Sequence, residues 1–194
     1  MPGKTYTTAV VLIPPEEIWE PIQAIRRAHD RHVSRWMPHI TLIYPFRPRA
    51  EFDDLAEKFS LACRSLTPFH VELMEMRAFR HRRDSFTVWL DPQPKEPLAR
   101  LQNLIEGLVP DCNDVSRHRD GYTPHLSVGQ ARSEGEMSRL TEAIRATWQS
   151  LAFTANEISL IWRGEPPNDV FRRGQSVILG SRVPPRREPI DRYP

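Results

Sequence analysis

The heptapeptide Trp36-Met37-Pro38-His39-Ile40-Thr41-Leu42 returns in the second half of the chain as Tyr122-Thr123-Pro124-His125-Leu126-Ser127-Val128, and any fold must place both copies. Each runs aromatic, variable, proline, histidine, aliphatic, hydroxyl, aliphatic. Such alternation predicts a strand, because side chains on a strand point to opposite faces in turn. His39 and Thr41 share one face, with Ile40 and Leu42 on the other; His125 and Ser127 stand likewise against Leu126 and Val128. A proline ahead of each histidine fits the first position of a strand, where a missing N–H does least damage. Each copy therefore presents an imidazole and a hydroxyl roughly 7 Å apart along the strand, backed by aliphatics suited to a core.

Two imidazoles beside two hydroxyls suit acid–base chemistry at phosphorus. A neutral imidazole takes a proton from an attacking water or hydroxyl while an imidazolium gives one to the leaving oxygen. The hydroxyls of Thr41 and Ser127 donate to non-bridging phosphate oxygens, where charge sits in the transition state. A single His-x-Thr is commonplace in strands; the duplication with matching aromatic and proline marks a site. The paired motifs resemble those of the 2H phosphoesterase superfamily. Pro38-His39-Ile40-Thr41-Leu42-Ile43-Tyr44-Pro45-Phe46 is similar to its 2′-5′ RNA ligase/cyclic phosphodiesterase branch. The resemblance runs from about Tyr6 to Leu179 and is specific at the two tetrads. It implies an α+β fold of two pseudo-symmetric lobes of antiparallel sheet, helices packed outside, with both motifs in a central cleft.

Composition narrows the remaining classes. At 194 residues, 39% of them hydrophobic, the chain suits one compact domain with a sizeable core. No run approaches the ~20 apolar residues of a membrane helix, and Met-Pro-Gly-Lys-Thr-Tyr lacks a signal-peptide layout, so a cytoplasmic location is expected. Cys63 and Cys112 have no metal-ligand spacing and read as buried thiols. The net charge of +2 comes from the Pro/Arg-rich tail over 182–194, leaving 1–181 as a balanced bilobal domain. Phosphate recognition must therefore be local rather than a global basic field. No cofactor and no metal site is expected, since no element carries ligand-spaced His, Cys or carboxylates.

Along the chain, Thr5 to Ile13 reads as a buried strand, and 15 to 32 as an amphipathic helix with Ile18, Trp19, Ile22 and Ile25 inward. After the first motif, a helix over 51–64 turns Phe52, Leu55, Phe59 and Leu61 inward. A hairpin follows. Its first strand alternates Phe69, Val71, Leu73 and Glu75 on one face, its tip is basic from Arg80 to Arg83, and it returns over 85–90. A helix over 94–108 has Leu98, Leu101, Leu104, Ile105 and Leu108 inward, and a polar loop precedes the second motif. Ser133 caps the next helix, with Glu134 and Glu136 in its first turn but out of register for a regular capping box. One strand spans Phe153 to Trp162 and pairs with 170–179. The two halves repeat at the level of elements.

By the resemblance, Phe79 occupies the place of the family's hairpin phenylalanine and stacks on a nucleobase, a core position being the alternative. Tyr44 falls on the opposite strand face from Thr41 and lines the cleft only if the strand bends. Trp36 and Tyr122 occupy equivalent places, packing beside the histidines or stacking on substrate. Arg80, Arg82 and, in the equivalent later turn, Arg163 are candidates to hold an RNA backbone. The expected protein is a monomeric, metal-independent phosphoesterase acting on 2′,3′-cyclic phosphates or 2′-5′ linkages of RNA ends or small nucleotides. Ligation would be the reverse reaction. The alternative is a non-catalytic module binding AMP-like nucleotides or RNA in the same cleft.

Overall fold

The computed structural model describes residues 3–118 and 120–180, so the tail expected over 182–194 lies outside the described residues. Among the described residues eight strands form two four-stranded antiparallel sheets. One sheet has the order β2 (Ile40–Ile43), β1 (Thr8–Leu12), β7 (Glu157–Trp162), β8 (Arg172–Ile178). The other has the order β5 (Leu126–Ala131), β4 (Phe86–Gln93), β3 (Phe69–Arg80), β6 (Leu151–Ala155). Four helices connect them: α1 (Trp19–His29), α2 (Phe52–Cys63), α3 (Lys95–Glu106) and α4 (Glu134–Arg145). Each motif strand is the outer strand of its sheet, and each sheet is one lobe.

The lobes are not the two halves of the sequence. The first sheet draws β1 and β2 from the N-terminal part and β7 and β8 from the C-terminal part, while the middle of the chain makes the second. The single strand expected over 153–162 is in fact two. β6 ends at Ala155 against Phe69 of one sheet, and β7 begins at Glu157 against Ile178 of the other. Alternation alone continues unbroken across Asn156, so the change of sheet has no local signature.

The lobes are joined through one main core. Ile40, Leu42, Val71, Val88, Leu126, Val128 and Leu160 belong to one contiguous cluster with the inward faces of all four helices. Burying each such side chain contributes roughly 1.5–3 kcal/mol, so the cluster resists separation of the sheets. β1 is buried throughout because it has a core on both faces. Val10 and Leu12 enter the main cluster; Ala9 and Val11 meet a smaller one with Ile161 and Phe171. α1 links two strands of the first sheet yet packs on β5 of the second, and α3 reaches β2. Gly129 allows the close approach of α1, since a Cβ there would lie 2.9 Å from that of His29. The end of α1 is fastened by Arg26 and Asp30, a buried pair at 2.9 Å, with Gln130 of β5 donating to Asp30 at 3.0 Å.

Three helix and strand details differ from expectation. Leu61 and Leu108 are exposed, at 53% and 42%; the inward positions are taken by Ala56 and Cys63 in α2, and by Gln102 in α3. On β3 a bulge between Leu73 and Glu75 turns Met76 into the core and leaves Glu75 outside. At α4 Ser133 and Glu136 make the serine half of a capping box, with the return bond displaced by one residue. Ser133 Oγ accepts from Glu136 N at 3.2 Å, and the Glu136 carboxylate accepts from the Arg132 backbone N–H at 2.8 Å. Both cysteines are buried, and burial pushes the Cys63 thiol up to about 11.

Candidate active site

The two motifs adopt the same local geometry. Thr41 lies opposite Val11 and Ile40 opposite Leu12; Ser127 lies opposite Trp89 and Leu126 opposite Leu90. In both pairs the register then slips by one residue, between Val10 and Val11 and between Val88 and Trp89. The extra residue is Leu42 in one copy and Val128 in the other, the last aliphatic of each heptapeptide. A bulge at this point re-aims neighbouring side chains. It is why the motif strands deviate from strict alternation just past the hydroxyl: Leu42 and Ile43 are both fully buried.

Each histidine is held by its own chain. His39 Nδ1 lies 2.7 Å from the carbonyl oxygen of Met37, and His125 Nδ1 lies 2.8 Å from that of Thr123. A carbonyl can only accept, so Nδ1 carries the hydrogen in both rings and Nε2 is left as the exchanging nitrogen. Both residues keep partial solvent contact although their rings sit among protein atoms. Burial lowers both pKa values from the ordinary 6.5, that of His39 to about 4. The Met37 and Thr123 carbonyls oppose this by favouring the cation, and Arg26 and His125 add repulsion at His39. Among the described residues the Thr41 and Ser127 hydroxyls make no hydrogen bond, which leaves both free to donate to a ligand.

The aromatic surroundings differ between lobes. Trp36 stacks on His39 at 4.7 Å and on Phe171 at 3.7 Å, and Tyr44 meets Trp36 edge-on at 5.4 Å. Past the bulge after Thr41, Tyr44 packs with Trp36 against the cluster that holds Phe171, its hydroxyl donating to the Tyr6 carbonyl at 3.3 Å. On the other side Phe79 meets His125 edge-on at 4.9 Å and stacks on Trp89 at 4.7 Å. Tyr122 does not mirror Trp36. Its hydroxyl crosses between lobes and donates to the Thr41 carbonyl at 2.8 Å, and burial raises its pKa. Tyr122→Phe should therefore lower stability by about 1 kcal/mol, the usual net worth of one part-buried hydrogen bond. Denaturant unfolding measures this directly.

Arg163 lies over Phe171 at 5.7 Å and acts electrostatically on Tyr44, so the fold brings it to the first lobe's aromatic wall. Arg80 is engaged by Asp84 at 2.6 Å and lies 6.0 Å over the Phe86 ring, and Arg82 is exposed at the hairpin tip. Trp89 and Phe171 were not singled out by the sequence. Trp89 could have been found from its alternation with Thr87 had the β4–β5 register been known, whereas Phe171 has no local signal.

A family model described as the 2′-5′ RNA ligase superfamily matches residues 14–167. This chain belongs to that superfamily, the 2H phosphoesterases. A candidate phosphoesterase of Geobacillus kaustophilus is 25% identical over 175 residues, covering 89% of this chain and 96% of the relative. One from Oceanobacillus iheyensis is 21% identical over 173 residues, covering 88% and 96%. The fold is similar to that of a Thermus thermophilus protein, with TM-score 0.60 at 16% identity over 91% of this chain and 100% of that one. It is also similar to E. coli LigT complexed with 3′-AMP, with TM-score 0.55 at 17% identity over 91% and 99%. Among the described residues no helix is long and apolar enough to cross a membrane. The class of chemistry is that of a phosphoesterase.

Proposed function

We propose that the cleft hydrolyses 2′,3′-cyclic phosphates at RNA ends or on small nucleotides, without a metal ion. The observation that carries this reading is the matched locking of two imidazoles by the carbonyls of Met37 and Thr123, which leaves an exchangeable Nε2 on each ring. The Nε2 of one neutral ring removes a proton from water as its oxygen attacks phosphorus. The bond from phosphorus to the ribose 2′ or 3′ oxygen breaks, and the other ring, charged, delivers its Nε2 proton to that oxygen. Thr41 and Ser127 donate to the non-bridging oxygens. After one turnover the rings have exchanged protonation states and re-equilibrate through solvent. A substrate phosphate favours the charged form of a nearby imidazole, which offsets the cost of burial. In ligation a 5′-hydroxyl takes the place of the attacking water, and the same two proton transfers open the ring to a phosphodiester.

The test is incubation with the four nucleoside 2′,3′-cyclic monophosphates in EDTA, following ring opening against pH. The base is lost as pH falls through its pKa and the acid as pH rises through its own. Because burial lowers both in the free protein, kcat/KM should peak on the acid side of 6.5, with kcat peaking at higher pH. A profile that rises steadily to pH 9 would remove the charged-acid role. The E. coli LigT structures include complexes with 3′-AMP and ATP. A protein that binds such nucleotides here with no ring opening is a binding module instead.

A further inference from the structure

Beyond the two rings, the cleft face of the second sheet continues into a cavity of about 670 Å³ at the hairpin end, lined by residues that include Arg31, Arg132, His81, Thr87 and Gln130. Resting on the hydrolytic reading above, we propose that this cavity is a second subsite for the phosphodiester that precedes a cyclic end, so that the preferred substrate is an RNA strand rather than a free cyclic mononucleotide. The position is set by register. Thr87 pairs with Gln130, and each follows the same two strands that carry Trp89 and Ser127. With Val128 bulged, Gln130 lies two partner residues beyond Ser127, from Trp89 to Thr87, which is about 7 Å, one step beyond the hydroxyl that would hold the reacting phosphate.

Chemistry dictates what can arrive there. A 2′,3′-cyclic phosphate closes the 3′ side of its strand, so the rest of the RNA leaves through the ribose 5′ oxygen. The first charge it meets is the adjacent phosphodiester. The cavity suits that charge. The Arg132 guanidinium has no partner among the described residues, and Arg31 uses only its Nε, toward His32 at 3.1 Å. The carboxylates on the wall are already engaged. Asp30 accepts from Arg26 at 2.9 Å and Gln130 at 3.0 Å, and Glu136 accepts the Arg132 backbone N–H at 2.8 Å. Arg27, also on the rim, is tied to Glu20 at the surface. His81 stands 2.9 Å from the Thr87 hydroxyl and its charge reaches His125, which ties the cavity to the catalytic ring. Phosphate contacts of this kind give strand affinity without sequence preference.

The experiment compares wild type with the Arg31→Ala/Arg132→Ala double variant, both positions being exposed. Substrates are 2′,3′-cyclic AMP and a tetranucleotide ending in the same cyclic group. Wild type should favour the tetranucleotide through a lower KM. The double variant should raise that KM about tenfold or more, leave cyclic AMP within twofold, and flatten the salt dependence by a log–log slope of about 1.4, from two lost contacts. Anisotropy of a labelled 3′-phosphorylated tetranucleotide reads the same subsite with no chemistry. Arginine-dependent binding without turnover would uphold the subsite and remove the hydrolytic reading. Equal KM for both substrates in wild type, or an equal loss on both in the variant, would overturn the subsite.

Discussion

His39→Ala or His125→Ala is expected to lower ring-opening activity by order 10²–10⁴, the usual worth of a positioned proton-transfer group. Each ring has one exchangeable nitrogen, since its Nδ1–H is committed to a main-chain carbonyl two residues back. Because both rings act in one transition state, the double variant should fall little further than the worse single one. Packing must be separated from chemistry. His39 lies against Trp36, which in turn stacks on Phe171, so alanine leaves a hole in that wall. His39→Gln restores most of the volume and a donor without a titrating nitrogen, and it should remain inactive while melting near wild type. Single-turnover opening of 2′,3′-cyclic AMP beside thermal denaturation provides both readouts. Full activity in either alanine variant would sink the two-histidine mechanism.

Removing the hydroxyls should cost nearly as much. On the proposed mechanism Thr41→Val and Ser127→Ala each delete a donor to the charge that develops on phosphorus, for which losses of about 10²–10³ in kcat are typical. The loss should fall on kcat more than on KM, because the oxygens they serve gain charge mainly in the transition state. Valine is nearly isosteric with threonine and well suited to a strand opposite Val11, so the fold should tolerate it. The Thr41 carbonyl that receives Tyr122 is main chain and survives the substitution. Thr41→Ser, which keeps a hydroxyl, should restore most of the rate. Unchanged kcat in both variants would move phosphate stabilisation to other donors.

The motif strands were legible because alternation is local: a period of two, a proline at the entry and a hydroxyl two residues on are all written in seven positions. The helices were legible for the same reason, with errors at Leu61 and Leu108, near helix ends where the apolar stripe drifts off the core. The break of Phe153–Trp162 into β6 and β7 was not legible. Nor was the bulge that exchanges Glu75 for Met76. Both depend on which strand lies alongside, and pairing partners distant in sequence leave no periodic trace. Trp36 and Tyr122 look equivalent in the repeat, yet one stacks on its histidine and the other braces the opposite motif.

By itself the sequence determined the two motif strands and which of their residues share a face, because side-chain alternation and residue type are properties of a short segment. Tertiary structure alone decided what surrounds them. The crossing of α1 onto β5 at Gly129, the interleaving of N- and C-terminal strands in one sheet, and the union of Trp89, Phe79 and His125 all follow from strand pairing, of β1 with β7 in one sheet and of β4 with β3 and β5 in the other. That pairing is selected by burial of the common core. The same burial that joins the lobes encloses the two imidazoles and lowers their pKa values, a condition no reading of the chain in order could supply.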